Sequence, residues 1–153
     1  MDPWVEMRSD SRHGGTVLLV DEDLEQREFV RAVIEGMGYR VQVCNSYGEG
    51  IRQLVTATFD IIVVGQGSRS FEGRCVLDAA IEFNRRLPVL VVAQHLEMGC
   101  YLEAMQLGAV DYLAQPFGGV EVARVMRTWA PRRKGSTGAE RSATQPISEK
   151  LAA

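Results

Sequence analysis

Val17-Leu18-Leu19-Val20-Asp21-Glu22-Asp23 decides the fold: four apolar residues in a row, then three carboxylates. A short apolar run rich in β-branched residues and closed by polar ones suits a strand buried on both faces of a parallel sheet. Ile61-Ile62-Val63-Val64 and Val89-Leu90-Val91-Val92 share that character. Arg40-Val41-Gln42-Val43 alternates polar and apolar, and Asp111-Tyr112-Leu113-Ala114-Gln115 is mixed, so these two read as edge strands. The five segments begin roughly 20–28 residues apart, which leaves room for a crossover helix after each.

The intervening stretches have helical periodicity. Val30, Val33, Ile34 and Met37 fall at i, i+3, i+4, i+7, as do Met98, Tyr101, Leu102 and Met105, and Val122, Val125, Met126 and Trp129. Ile51, Leu54 and Val55 begin the same pattern, and so do Leu77, Ala80 and Ile81. All five stripes are expected to face the core. Gly38 and Gly108 stand where two of the helices should end. The result is an α/β fold, a (βα)5 doubly wound parallel sheet of the flavodoxin-like kind. Three buried strands between two edges, joined by right-handed crossovers, are satisfied by the order 2-1-3-4-5. Ligands of such sheets bind at the carboxyl ends of the strands, here between β1 and β3.

The chain has 153 residues, enough for one domain with tails. Its 46% hydrophobic and 24% charged residues fit a globular protein. Residues 1–15 read as an N-terminal extension, 16–130 as the domain, and 131–153 as a disordered basic tail or linker with few large apolar residues. Residues 16–130 hold ten Arg against fifteen Asp and Glu; the tail holds five basic residues against two acids. Arg132-Arg133-Lys134 reads as solvated charge at a helix end, so nucleic acid is not the expected partner. Fifteen of the seventeen basic residues are Arg; the two lysines are Lys134 and Lys150. No apolar run approaches the ~20 residues that span a bilayer, and the acidic start is no secretory signal, so a cytoplasmic protein is expected. Cys44, Cys75, Cys100, His13 and His95 lie at no metal-ligand spacing, and no Ser-His or Cys-His constellation suggests an enzyme.

The three carboxylates after β1 admit two readings. Asp21 and Glu22 can point into the crevice and hold a hard cation such as Mg²⁺, or Asp23 can cap the next helix with the others in its first turn.

VLLVDED, FDIIVVG, FEG at 71–73, PVLVVAQ and GAVDYLAQPF, in that order, resemble the receiver domain of two-component response regulators over about residues 16–130. The resemblance implies phosphoryl transfer from a phosphohistidine to an aspartate at the end of β3, with Mg²⁺ on the acid pair. A Ser or Thr after β4 and a Lys after β5 would contact the phosphoryl oxygens. The acid pair matches Asp21 and Glu22, the aromatic switch position matches Tyr112, and the usually cis proline matches Pro116. The acceptor position, however, falls on Gly65, the hydroxyl position on Ala93 and the lysine position on Gln115. Gly65 offers no nucleophile, Ala93 no hydrogen bond to a phosphoryl oxygen, and Gln115 no positive charge. With one carboxylate ligand fewer, no tight metal site is expected, only a weak Mg²⁺ site at Asp21 and Glu22, and no other cofactor.

These residues point to a pseudo-receiver, a non-phosphorylatable signalling module that acts by protein–protein contact or homodimerisation. In receivers the α4–β5–α5 surface carries such contacts; here it would involve Tyr101, Glu103, Tyr112, Glu121 and Arg124. The alternative is a ligand sensor, with a small molecule or anion in the vacated crevice, held by Arg69 or the amides of Gly65-Gln66-Gly67-Ser68-Arg69-Ser70. That loop carries GxG without the third glycine of a nucleotide fingerprint and reads mainly as flexible filler.

Overall fold

The computed structural model describes residues 14–130. The tail assigned to 131–153, and all but the last two residues of the extension assigned to 1–15, lie outside the described residues. Five strands alternate with five helices: β1 Thr16–Val20, α1 Leu24–Gly36, β2 Arg40–Cys44, α2 Tyr47–Thr56, β3 Ile61–Gly65, α3 Arg74–Phe83, β4 Val89–Ala93, α4 Met98–Leu107, β5 Asp111–Ala114 and α5 Gly119–Trp129. The strands form one parallel sheet in the order β2-β1-β3-β4-β5. Among the described residues no helix is long and apolar enough to cross a membrane.

The sheet explains its own apolar runs. Side chains alternate between faces, and both faces are covered. Leu18, Val20, Ile62, Val64, Val89 and Val91 pack beneath α2, α3 and α4, with Leu54, Val76, Leu77, Cys100 and Ala104. Val17, Leu19, Ile61, Val63, Leu90 and Val92 pack beneath α1 and α5, with Val30, Ile34, Val122, Val125 and Met126. Asp23 caps α1, its Oδ2 accepting the Gln26 N–H at 2.8 Å, and Ser46 caps α2 through the Glu49 N–H at 3.2 Å. Gly38 and Gly108 take φ of 101° and 116° just beyond α1 and α4.

One helix departs from the expected pattern. Met98, Leu102 and Met105 of α4 are not core residues: they are 56%, 51% and 37% exposed, and Cys100 and Ala104 face the sheet instead. The helix reads MGCYLEAMQL, apolar on nearly every side, so periodicity does not select a face. Its two small residues allow the backbone to lie close over the sheet, and the large ones are left outside. Val55 of α2 is likewise exposed, whereas Leu54 is buried.

Candidate functional site

The carboxyl ends of β1, β3 and β5 converge on Asp21. Asp21 continues β1, its N–H donating to the Cys44 carbonyl at 3.1 Å, and its carboxylate is buried. Oδ1 accepts the Asp23 N–H at 3.0 Å, and Oδ2 accepts Gln26 Nε2 at 2.8 Å. The Gln26 amide oxygen in turn accepts Gln115 Nε2 at 2.9 Å. Asp21, Gln26 and Gln115 thus form one chain of neutral amides ending on a buried acid. Burial raises the Asp21 pKa above the ordinary carboxylate value; the hydrogen bonds from Gln26 and the Asp23 amide offset part of that rise.

Gly65 closes β3 beside this carboxylate. A Cβ at position 65 would lie 2.5 Å from Asp21 Cγ and 2.9 Å from Oδ2, far inside contact distance. The space directly beside Gly65 is therefore taken by the Asp21 side chain, and the crevice opens in front of that carboxylate. Ala93, at the end of β4, is buried, and its carbonyl accepts the Gln115 N–H at 2.8 Å. The Gln115–Pro116 bond is cis.

The residues present do not fit a divalent cation. Both Asp21 oxygens already accept protein donors, Glu22 is turned out to solvent, Asp23 caps α1, and Gly65 supplies no oxygen ligand from a side chain. Among the described residues no three Asp, Glu, His or Cys side chains converge on one point. Asp21 is buried and Glu22 exposed, and both line the same cleft.

The space in front of the site is a cleft of about 320 Å³ lined by four carboxylates, Asp21, Glu22, Asp23 and Glu72. Its acidity opposes an anion. Arg69, expected to assist one, is 80% exposed in its side chain and turns to Glu97 at 3.6 Å. The 65–70 loop is no loose filler either. Glu72 brackets it, accepting the Ser68 N–H at 2.7 Å and the Ser68 hydroxyl at 2.8 Å, and these bonds lower the Glu72 pKa. Gln66 is buried, and Gly73 sits so close beneath β3 that a Cβ there would overlap the Gly65 carbonyl oxygen.

The surface residues are distributed unevenly. Tyr112 is not part of an exposed face: it is 7% exposed, with its ring edge-on to Tyr101 at 5.5 Å between centroids. Glu103 pairs with Arg74 of α3, and Glu121 accepts the Gly118 N–H at 2.8 Å to cap α5. Tyr101 is half-buried and Arg124 exposed. The larger surface feature is the one that periodicity assigned to the core, the row Met98, Leu102 and Met105, with exposed Leu96 before it.

Two buried polar residues beside the site escape a local reading, Gln26 and Gln66. A signal exists for the first: Gln26 precedes Val30 and Ile34 at intervals of four, so a polar residue extends the buried face of α1. Gln66 carries the weaker signal of a long polar side chain directly after a wholly buried strand.

This architecture, with its acidic and aromatic landmarks in place, is that of a receiver, and a model of the response regulator receiver domain matches residues 17–127. The chain belongs to that family. It is 33% identical over 127 residues to the KDP operon transcriptional regulatory protein KdpE of Escherichia coli K12, covering 79% of this chain and 53% of that one. It is 28% identical over 100 residues to the transcriptional regulatory protein ZraR of the same organism, covering 65% of this chain and 23% of ZraR. The chain thus spans about half or less of the curated relatives named here. Among solved structures, a receiver domain protein from Methanospirillum hungatei superposes with a TM-score of 0.68 at 18% identity, over 74% of this chain and 91% of that one. A Vibrio cholerae chemotaxis protein, CheY4, gives 0.68 at 20% identity, over 76% and 98%. These likenesses establish the fold.

Replacing the buried acid tests the amide chain. Asp21→Asn removes a charge held in the interior, and the Gln26 and Gln115 amides can both turn over to keep every donor matched to an acceptor. A carboxyl whose folded pKa is raised contributes stability fully present below its unfolded pKa and lost as pH rises through the folded one. Asp21→Asn is therefore expected to be more stable than the parent at pH 7, with the difference vanishing on acidification below pH ~4. Urea denaturation across pH 4–8 measures this.

Proposed function

We propose that the chain is a receiver-type signalling module of a two-component or related pathway whose output does not run through an aspartyl phosphate. The observation that carries this reading is the position of Asp21, whose carboxylate lies where the side chain of residue 65 would begin. No nucleophile stands at the end of β3, no hydroxyl at 93 and no ammonium at 115 to meet a phosphoryl group. The module has no catalytic role and no bound cofactor, and it operates in the cytoplasm.

Its output is protein contact, and the occupant that fits is a second copy of this chain. The Met98, Leu102 and Met105 row leaves large apolar side chains uncovered, the kind of surface that marks an interaction site. Exposed Arg124 and Arg127 on α5 supply cations, and Glu97 and Glu103 on or before α4, each also paired with an arginine of its own chain, supply anions. A two-fold contact between α4–β5–α5 faces sets each copy's cations toward the other's anions around an apolar centre. Acidic charge on residues 16–130 disfavours nucleic acid as a direct partner.

The test has two arms on the full chain. Incubation with acetyl phosphate and Mg²⁺ is expected to leave the intact mass unchanged; a gain of one phosphoryl group that hydroxylamine removes defeats the reading. Sedimentation is expected to show a dimer that Leu102→Glu weakens at least tenfold. A parent protein monomeric at high micromolar concentration removes the second copy as the occupant.

A further inference from the structure

The Tyr112 hydroxyl is sealed between two fixed groups. It donates to the Gln66 amide oxygen and accepts the Glu97 N–H at 3.3 Å. Gln66 has no freedom of its own. Its N–H extends the β3–β4 ladder to the Val92 carbonyl at 2.8 Å, its carbonyl accepts the Gly73 N–H at 3.0 Å, and its Nε2 donates to the Ser68 carbonyl at 3.3 Å. Its side chain is fully buried. The amide oxygen is thus a rigid acceptor at the end of β3, one residue beyond the position that carries the covalent signal in the family.

At the other end, Glu97 is the N-cap residue of α4, and that helix start has no side-chain cap of its own. The tyrosine hydroxyl ties it down. One side chain therefore connects the end of β3 to the start of the helix that bears the exposed apolar row. Burial raises the Tyr112 pKa, which keeps the hydroxyl protonated and able to donate.

We propose that Gln66 replaces the phosphoryl signal in this chain, holding Tyr112 permanently inward and so fixing the start of α4 and the face it presents. This rests on the reading that no aspartyl phosphate forms. The physical reason for a glutamine is specific. A buried phenol needs an acceptor, and an apolar residue of similar size would leave the O–H unpaired and favour the ring turning out to water.

The test uses Gln66→Leu in the full chain, which keeps the volume and removes the acceptor. NMR is expected to show loss of the Tyr112–Tyr101 ring contact and roughly tenfold faster exchange at the Glu97 amide, as a lost hydrogen bond implies. Amides of Leu19 and Val63 in the central sheet serve as the internal control. If Gln66 merely fills space, leucine fills it as well and neither readout moves, which overturns the proposal. Tyr112→Phe supplies the second arm should the leucine variant not fold. The ring is expected to stay inward while the Glu97 amide loses protection, and unchanged protection again overturns the proposal. Phosphate incorporation is measured separately, so failure of the latch and failure of the underlying reading are distinct results.

Discussion

Gly65→Asp, the substitution that restores the family's acceptor, is expected to lower the unfolding free energy by about 3 kcal/mol and to leave the protein unphosphorylated. A side chain at 65 begins 2.5 Å from Asp21 Cγ, so Asp21 must rotate away and give up its bonds to Gln26 and the Asp23 amide. Two carboxylates then share a buried pocket beside one guanidinium, that of Arg27, which donates to the Asp21 backbone carbonyl at 2.8 Å. At an effective dielectric of 20, like charges 4 Å apart repel by roughly 4 kcal/mol. The loss is expected to shrink on acidification, as one of the two carboxyls takes up a proton. Adding Gln115→Lys is expected to recover part of it by supplying the missing ammonium. Urea denaturation of the single and double variants, with mass spectrometry after acetyl phosphate treatment, measures both outcomes. Parental stability in the single variant would show that the Asp21 carboxylate leaves its place at little cost.

Gly73→Ala is expected to be at least as damaging, with a loss of about 3 kcal/mol or more and a fall in Tm of about 10 °C or more. Its Cβ would overlap the Gly65 carbonyl oxygen and lie 3.1 Å from the Gly65 carbonyl carbon. Neither backbone can yield. Gly65 is paired with Val92 in the sheet, and the Gly73 N–H is bonded to the Gln66 carbonyl at the head of α3. Relief requires moving the whole 66–73 loop, which breaks the Glu72 bracket on Ser68 and shifts Gln66 from the tyrosine. Gly48→Ala is the matched control, since a Cβ at 48 meets nothing within 4 Å. Calorimetry on the two variants separates a steric cost at 73 from the general cost of replacing a glycine.

The sheet was legible because each central strand is buried on both faces, so Val17–Val20, Ile61–Val64 and Val89–Val92 carry no polar residue to blur the reading. The strand order followed from which segments were wholly apolar and which were mixed. α4 was not legible in that way. With apolar residues on nearly every side, its orientation is chosen by the small Cys100 and Ala104 against the sheet, a matter of packing distance rather than period. The site divides similarly. The resemblance placed Gly65 and Ala93 at the ends of β3 and β4 and Gln115 just after β5, and the strand bounds agree. The acid that occupies the space beside Gly65 is set by the Asp21 rotamer, and that rotamer depends on Gln26. The Gln26 partner, Gln115, lies 89 residues further on, and the Tyr112 partner, Gln66, lies 46 residues away. No local pattern reports pairings of that span.

The scarcity of lysine has a practical side. The folded domain carries ten guanidinium groups and no side-chain amine, the two lysines being Lys134 and Lys150. Amine-directed cross-linkers and labels therefore cannot attach anywhere between β1 and α5, and a self-association map built on them would be blank across the face that matters. The domain offers a different handle. Cys75 at the head of α3 is exposed while Cys44 and Cys100 are buried, so one thiol is open to a spectroscopic probe. Arg74 beside it pairs with Glu103 of α4, which places that probe next to the helix whose outer surface is the proposed seam between copies.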